Sequence, residues 1–308
     1  MKRLSHYVQK QAIHPKEIVN WSEYSINDSL TYSYRSTVYD QSTYPSSLHY
    51  HDYYELVIFE EGEIHYVCES KIYTPQRGDI ILIPPQKLHM SRIVSKSTRY
   101  TRHVFYLFED AFSMIENGVL STFLKRTEDP QMFTLSSEKE RNELMRLLNN
   151  ISVLFGHNST ELSRALGFGY VTQIFYLLNQ KTNYSADSKN KIPESILSVQ
   201  RYIDQNFAEI STVSDIAEQF FYSREYISRL FKKHFDTTIL DYVTKRRIAR
   251  AQAMIADSTP ITEVCYKVGF GSMSGFIRAF RATTGMTPSE YRSLLQNEPR
   301  DMSKNVAK

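Results

Sequence analysis

Two stretches near the end of this 308-residue chain repeat one layout. Ile216-Ala217, Tyr226-Ile227 and Leu230-Phe231-Lys232 in the first return as Val264-Cys265, Phe276-Ile277 and Ala279-Phe280-Arg281 in the second. Each copy spells a short helix, a turn and a second helix with apolar residues on one side and Arg and Ser on the other, a helix-turn-helix written twice. Ile216, Leu230, Phe231, Ile248, Val264, Phe276 and Phe280 are the expected core of this region. Punctuation supports the helices. Pro193 opens a helix over 196–207 at its first position, Ser211 or Thr212 caps 213–220, and Ser223 caps 224–235. A longer helix is expected over 239–256, then 261–268, a helix from Ser272 or Ser274 to Thr283 ended by Gly285, and a last one after Pro288.

Arg229 and Arg278 hold matching places 49 residues apart. The connecting helix of about 18 residues spans about 27 Å, which suits two helices held near the ~34 Å repeat of the DNA major groove. Charge is divided in the same sense. Residues 1–190 carry 20 Lys+Arg against 21 Asp+Glu, whereas 191–308 carry 17 against 13, so the basic surplus lies where a polyanion would dock.

The first half has another character. It holds 16 of the 22 tyrosines before residue 191, and from Ser29 to Phe108 it favours strands, with apolar runs at 56–59 and 80–83 and turns at Glu61-Gly62 and Arg77-Gly78-Asp79. An antiparallel barrel or sandwich is predicted. After Pro130 the spacing becomes helical (Leu144, Leu147, Leu148, Ile151, Leu154, Phe155), and a second helix is expected between Thr160 and Gln180. The fold class is therefore α+β, with a first domain at 1–181, a polar linker at 182–193, an all-α domain at 194–296 and a tail at 297–308. The longest apolar run is Ile80–Pro85, far below the about 20 residues a spanning helix needs, so a cytoplasmic protein without a membrane partner is expected. Cys68 and Cys265 lack paired spacing, and a disulfide framework is not expected.

Arg247-Ile248-Ala249-Arg250-Ala251, followed by Ile261, Val264, Val268-Gly269-Phe270, Phe276, Phe280, Gly285 and Thr287-Pro288, resembles the signature of the AraC/XylS family of bacterial transcription regulators. The first copy, Ser223 to Lys233, agrees with the pattern; Asp236, where the family usually ends the helix with Gly, departs from it and weakens that cap. The resemblance implies that the second helix of each copy enters the major groove. Carried over by position, the groove-facing residues are Glu225, Ser228 and Arg229, then Met273, Ser274 and Arg278. Arg229 or Arg278 suits a guanine edge and Glu225 a cytosine amine, while Lys232, Lys233 and Arg281 suit phosphates.

His49-x-His51-x-x-x-Glu55 with Gly62, then Gly78-x5-Pro84 and His89, resembles the two motifs of the cupin barrel, although Gln86 and Ile93 stand where Gly and Asn are usual. The odd parity of 49, 51 and 55 places them on one side of a continuous strand. The expected use is an effector site of His49, His51, Glu55, Tyr34, Tyr53 and His89, within a tyrosine cluster (32, 34, 39, 50, 53, 54) suited to a sugar or its derivative. The alternative is a divalent metal on His49, His51, Glu55 and His89, as in a metal-dependent cupin enzyme with a DNA-binding appendage. His6, His14, His65, His103, His157 and His234 are expected to be surface or satisfied core residues. The reading as a whole is a non-enzymatic activator without a cofactor, acting as a homodimer through the stripe in 138–180 and touching promoter DNA, a small effector and RNA polymerase.

Overall fold

Contacts divide the chain into two compact units, 1–192 and 193–308. The computed structural model describes residues 20–40, 48–69, 71–112, 119–135, 137–155, 160–179 and 192–296. Most of the expected linker and the whole of the expected tail, with His6, His14 and His157, lie outside these residues.

In the first unit, strands β1 (Asn20–Asn27), β2 (Leu30–Asp40), β3 (Tyr54–Glu61), β4 (Ile64–Cys68), β5 (Lys71–Tyr73), β6 (Ile80–Ile83), β7 (His89–Ile93), β8 (Ser97–Leu107) and β9 (Gln131–Phe133) build two sheets. Their orders are β1-β2-β8-β3-β6-β9 and β5-β4-β7. Every pairing is antiparallel. The strand region begins at Asn20, earlier than Ser29, because β1 is polar and shows little of the β-branched enrichment that marks β3 and β6. Three helices belong to the same unit, α1 (Val119–Arg126) before β9 and α2 (Glu138–Phe155) and α3 (Glu161–Asn179) after it.

Period-2 alternation gives the large sheet two buried faces. The pairings Tyr32↔Phe105 and Leu56↔Phe105 set Leu30, Tyr32, Leu56, Ile58, Phe105 and Leu107 on one face. They join one core with Leu144, Leu147, Leu148, Ile151, Val171, Ile174 and Phe175 of α2 and α3. The other face, with Tyr39, Tyr53, Val57, Tyr100, Val104 and Tyr106, meets Ile64, Tyr66, Tyr73 and Ile93 of the small sheet. A one-residue slip of β8 would exchange the faces, so both cores enforce the register. Phe105, fully buried, would cost about 3–5 kcal/mol if cut to Ala. The stripe on α2 is consumed here, against the sheet.

In the second unit the helices are α4 (Glu194–Asn206), α5 (Val213–Gln219), α6 (Arg224–Phe235), α7 (Ile239–Ala256), α8 (Ile261–Lys267), α9 (Met273–Thr284) and α10 (Pro288–Gln296). Pro193 is the N-cap residue of α4 rather than its first helical residue. Thr212 caps α5 in a capping box with Asp215, and Ser223 and Ser272 cap α6 and α9. Ile216, Phe231, Ile248, Val264, Phe276 and Phe280 are buried as expected. Leu230 is only partly buried; Ile227, three residues earlier, holds the core position instead.

Arg247 has a structural task. Its guanidinium donates to the carbonyls of Phe207 (2.8 Å), Ala208 (3.4 Å) and Ile210 (2.7 Å), satisfying acceptors just beyond the end of α4. Beside it Asp204 accepts from Arg246 Nε at 2.5 Å and from the Tyr242 hydroxyl at 2.9 Å, tying α4 to α7.

Candidate nucleic-acid interface and effector site

On α6, Ile227, Phe231 and Phe235 are buried, while Glu225, Arg229, Lys232 and Lys233 are exposed and Ser228 is half-buried. On α9, Phe276 and Phe280 are buried, Ser274, Arg278 and Arg281 are exposed, and Met273 is half-buried. All nine residues expected to meet DNA are thus outside the core, on helices anchored by an i, i+4 apolar stripe. Among the described residues, Arg229, Lys232, Arg278 and Arg281 form no ion pair, so their donors remain available to an incoming anion.

The histidine cluster converges, though not on one strand. His49 sits in an isolated bridge with His89, residues 50–53 are irregular, and β3 begins only at Tyr54. His51 Nε2 lies 2.8 Å and His89 Nε2 3.1 Å from the same oxygen of Glu55. The opposite ring nitrogens face backbone: His51 Nδ1 is 2.8 Å from the Tyr53 carbonyl and His89 Nδ1 is 2.9 Å from that of Lys87. Tyr53 stacks on His51 with ring centres 4.0 Å apart, and the His49 ring lies 4.3 Å from that of His89.

Carbonyl and carboxylate oxygens only accept, so the His51 and His89 rings each have more acceptors facing them than the single N–H of a neutral imidazole can serve. Burial pushes His51 down from the usual imidazole value, opposed by its hydrogen bond to Glu55. Burial alone would raise Glu55, but the bonds from His51 and His89 outweigh it and hold the carboxyl well below the usual range. Ligand atoms of His49, Glu55 and His89 lie within 4.8 Å of one another, a donor set that fits a divalent cation as well as protons.

Tyr53 faces the space between the sheets, as an effector contact would. Tyr34 does not. It packs on the helix-side face, its ring 5.1 Å from that of His103, because even positions of β2 point toward α2 and α3. Tyr32 and Tyr54 share that face, and Tyr32 bonds to His103 at 2.7 Å and to Ser152 at 2.8 Å. His103 is a satisfied core residue.

Sequence reasoning missed two inward residues, Arg35 and Arg102. Arg35 Nη2 donates to the Tyr106 hydroxyl at 3.1 Å, and Arg102 lies 4.1 Å above the Tyr100 ring. The signal was present in the alternation of β2 and β8, in which each occupies the parity of an inward tyrosine.

With this geometry in place, residues 33–166 match the family described as the AraC-like ligand binding domain, and residues 216–293 match the helix-turn-helix domain family. The chain is an AraC-type transcription regulator. It is 24% identical over 268 residues to YdiP of Escherichia coli (strain K12), an HTH-type transcriptional regulator, covering 84% of each chain. It is 21% identical over 253 residues to the HTH-type transcriptional activator RhaS of Enterobacter sp. (strain 638), covering 82% of this chain and 88% of that one. The AraC-type assignment accounts for both units: a ligand-binding domain and a DNA-binding helical domain, in a regulator rather than an enzyme. No helix among the described residues is long and apolar enough to cross a membrane.

Proposed function

We propose that this regulator is an activator that reads two successive turns of promoter DNA with α6 and α9, controlled by a sugar or sugar derivative held in the N-terminal barrel. One observation carries the reading: Arg229 and Arg278 stand exposed at equivalent places, opposite the buried faces of helices joined through the 18-residue α7. Arg229, Arg278, Glu225, Ser228, Met273 and Ser274 read bases, whereas Lys232, Lys233 and Arg281 hold phosphates. Residues 1–181 bind effector and dimerise, 182–193 link and 194–296 bind DNA, in the cytoplasm and in contact with RNA polymerase. The activating sense is supported by the likeness to RhaS, a transcriptional activator. The dimer closes through the outer face of α3, where Leu162 is 70% and Tyr176 62% exposed.

Coupling requires that effector bind the DNA-competent arrangement more tightly than the other. The test is binding of the full chain to duplexes selected from a random pool, titrated against salt. Affinity should fall steeply as salt rises, because phosphate contacts release counterions; a flat response overturns the proposal. A second reading of the barrel, favoured by the donors of His49, Glu55 and His89, places a divalent cation there. Stoichiometric zinc, manganese or iron lost on His49→Ala establishes it, and metal-free protein that still responds to effector removes it.

A further inference from the structure

Counted from the capping serines Ser223 and Ser272, the residues of α6 and α9 correspond one to one. Buried Ile227 and Phe231 match buried Phe276 and Phe280, and exposed Arg229 and Lys232 match exposed Arg278 and Arg281. One pair on the outer side breaks the likeness. Half-buried Ser228 of α6 has Ile277 of α9 as its counterpart, and Ile277 is 38% exposed. A helix turns about 100° per residue, so Ile277 lies on the flank between the Phe276–Phe280 stripe and Arg278, in line with Arg281 one turn on.

A lone exposed isoleucine is ordinary on a protein surface. This one stands within the face that carries Ser274, Arg278 and Arg281, the residues assigned above to bases and phosphate. Gly275, Ala279 and Ala282, on the other side of Arg278, are short where α6 has Tyr226, Leu230 and Lys233. The axis of α9 can therefore approach a groove more closely than that of α6, which brings a branched aliphatic side chain within reach of base edges. Ile277 has no donor or acceptor to offer them. The one apolar group on the major-groove edges is the 5-methyl of thymine.

We propose that Ile277 is a specificity-determining residue of the second copy, packing on the 5-methyl group of a thymine beside the base pair that Arg278 reads. The inference rests on the reading of α9 as a groove-entering helix and adds the base that this flank selects. Burial of one methyl group is worth about fourfold in affinity. Ser228, whose hydroxyl both donates and accepts, gives the first copy no such preference, so the two half-sites are read by different chemistry.

The test uses the full chain and a duplex selected from a random pool, with each thymine replaced in turn by uracil, which pairs alike and lacks only the methyl. The half-site of α9 is the one that loses protection in Arg278→Ala. One uracil there should weaken binding about fourfold. Ile277→Ser, which copies the first helix at this place, should bind the thymine and uracil duplexes equally, and Ile277→Val should keep most of the difference. An unchanged thermal midpoint in Ile277→Ser shows that the variant folds; a midpoint many degrees lower shows that the side chain belongs to the core and overturns the proposal. A selected half-site without thymine, a uracil penalty identical in the parent and Ile277→Ser, or no penalty at any thymine while Arg278→Ala still costs affinity also overturns the role of Ile277, leaving the groove reading standing. Failure to select any duplex, or an Arg278→Ala variant that binds like the parent, overturns both.

Discussion

The two helix-turn-helix copies are built on the same hydrogen bonds with different residues. In the first, the N–H groups of Phe220, Phe221 and Tyr222 donate to the carbonyls of Ile216, Glu218 and Ala217; in the second, Val268, Gly269 and Phe270 donate to Val264, Tyr266 and Cys265. Phe221 and Gly269 therefore occupy one place in the turn, both with positive φ (55° and 91°). A bulky residue in that conformation is strained, and the Phe221 ring, 95% exposed, gains no packing in return. What separates the copies is the neighbour. A Cβ on Gly269 would meet the Ala208 carbonyl oxygen at 2.1 Å, the carbonyl that Arg247 also fastens, whereas the first turn faces open solvent. Glycine is thus compelled in the second copy by a close approach of backbone, and in the first the turn tolerates a side chain.

The largest effect should come from breaking this distinction. Gly269→Ala drives a methyl into immovable backbone at a positive φ, and should destabilise the second unit by about 3 kcal/mol or more. Phe221→Ala, in the equivalent place, should change stability by no more than about 0.5 kcal/mol. Urea unfolding of the full chain followed by circular dichroism checks both. Equal losses at the two sites would mean that the turn itself, rather than the contact with Ala208, sets the requirement.

Next in size is the contribution of each copy to DNA. Arg229→Ala and Arg278→Ala should each cost about 1–3 kcal/mol on selected duplexes and relax base preference at one position. Footprints of the two variants should lose protection about one helical turn apart. Loss from only one variant would show that a single copy reads sequence while the other merely rests on the backbone.

How far the sequence disclosed this follows from the physics of each signal. The second unit was legible almost to the residue, because capping serines, an i, i+4 apolar stripe and a C-terminal glycine are local features. The exceptions were non-local: Arg247 and Gly269, noticed only as signature residues, act on one carbonyl about 40 to 60 positions away. In the barrel the sequence points to a set of His49, His51, Glu55 and His89 with the first three on one continuous strand, whereas residues 50–53 are irregular and β3 begins only at Tyr54. Tyr34 lies on the helix-side face because alternation along β2 sorts Tyr32 and Tyr34 from Tyr39, a distinction that grouping six tyrosines by composition does not carry. The same alternation would have exposed Arg35 and Arg102.

Of intermediate size is the start of the first helix in each copy. Thr212 closes a capping box with Asp215, whereas Pro260 at the start of α8 offers no side-chain bond. Thr212→Ala should cost about 1 kcal/mol, and Pro260→Ala, which keeps the helix start without any cap to lose, should cost less. The difference is measurable by thermal unfolding of the two variants side by side.

The smallest effect concerns the helix ends. Asp236 closes α6 with φ 51° and its N–H bonded to Lys232; Gly285 closes α9 with φ 80° and its N–H bonded to Arg281. The geometry is shared, but Asp carries a left-handed backbone cost and sets a negative charge against the helix's own negative end. Asp236→Gly removes both and gives back part as added freedom in the unfolded chain, leaving about 0.5–1 kcal/mol of net stabilisation. Asp236→Asn separates the two contributions, since Asn keeps the conformational cost and loses the charge. If the Asn variant recovers the whole gain in low salt and none in high salt, the penalty is electrostatic; if it recovers none in either, the backbone conformation alone distinguishes the two copies at this end.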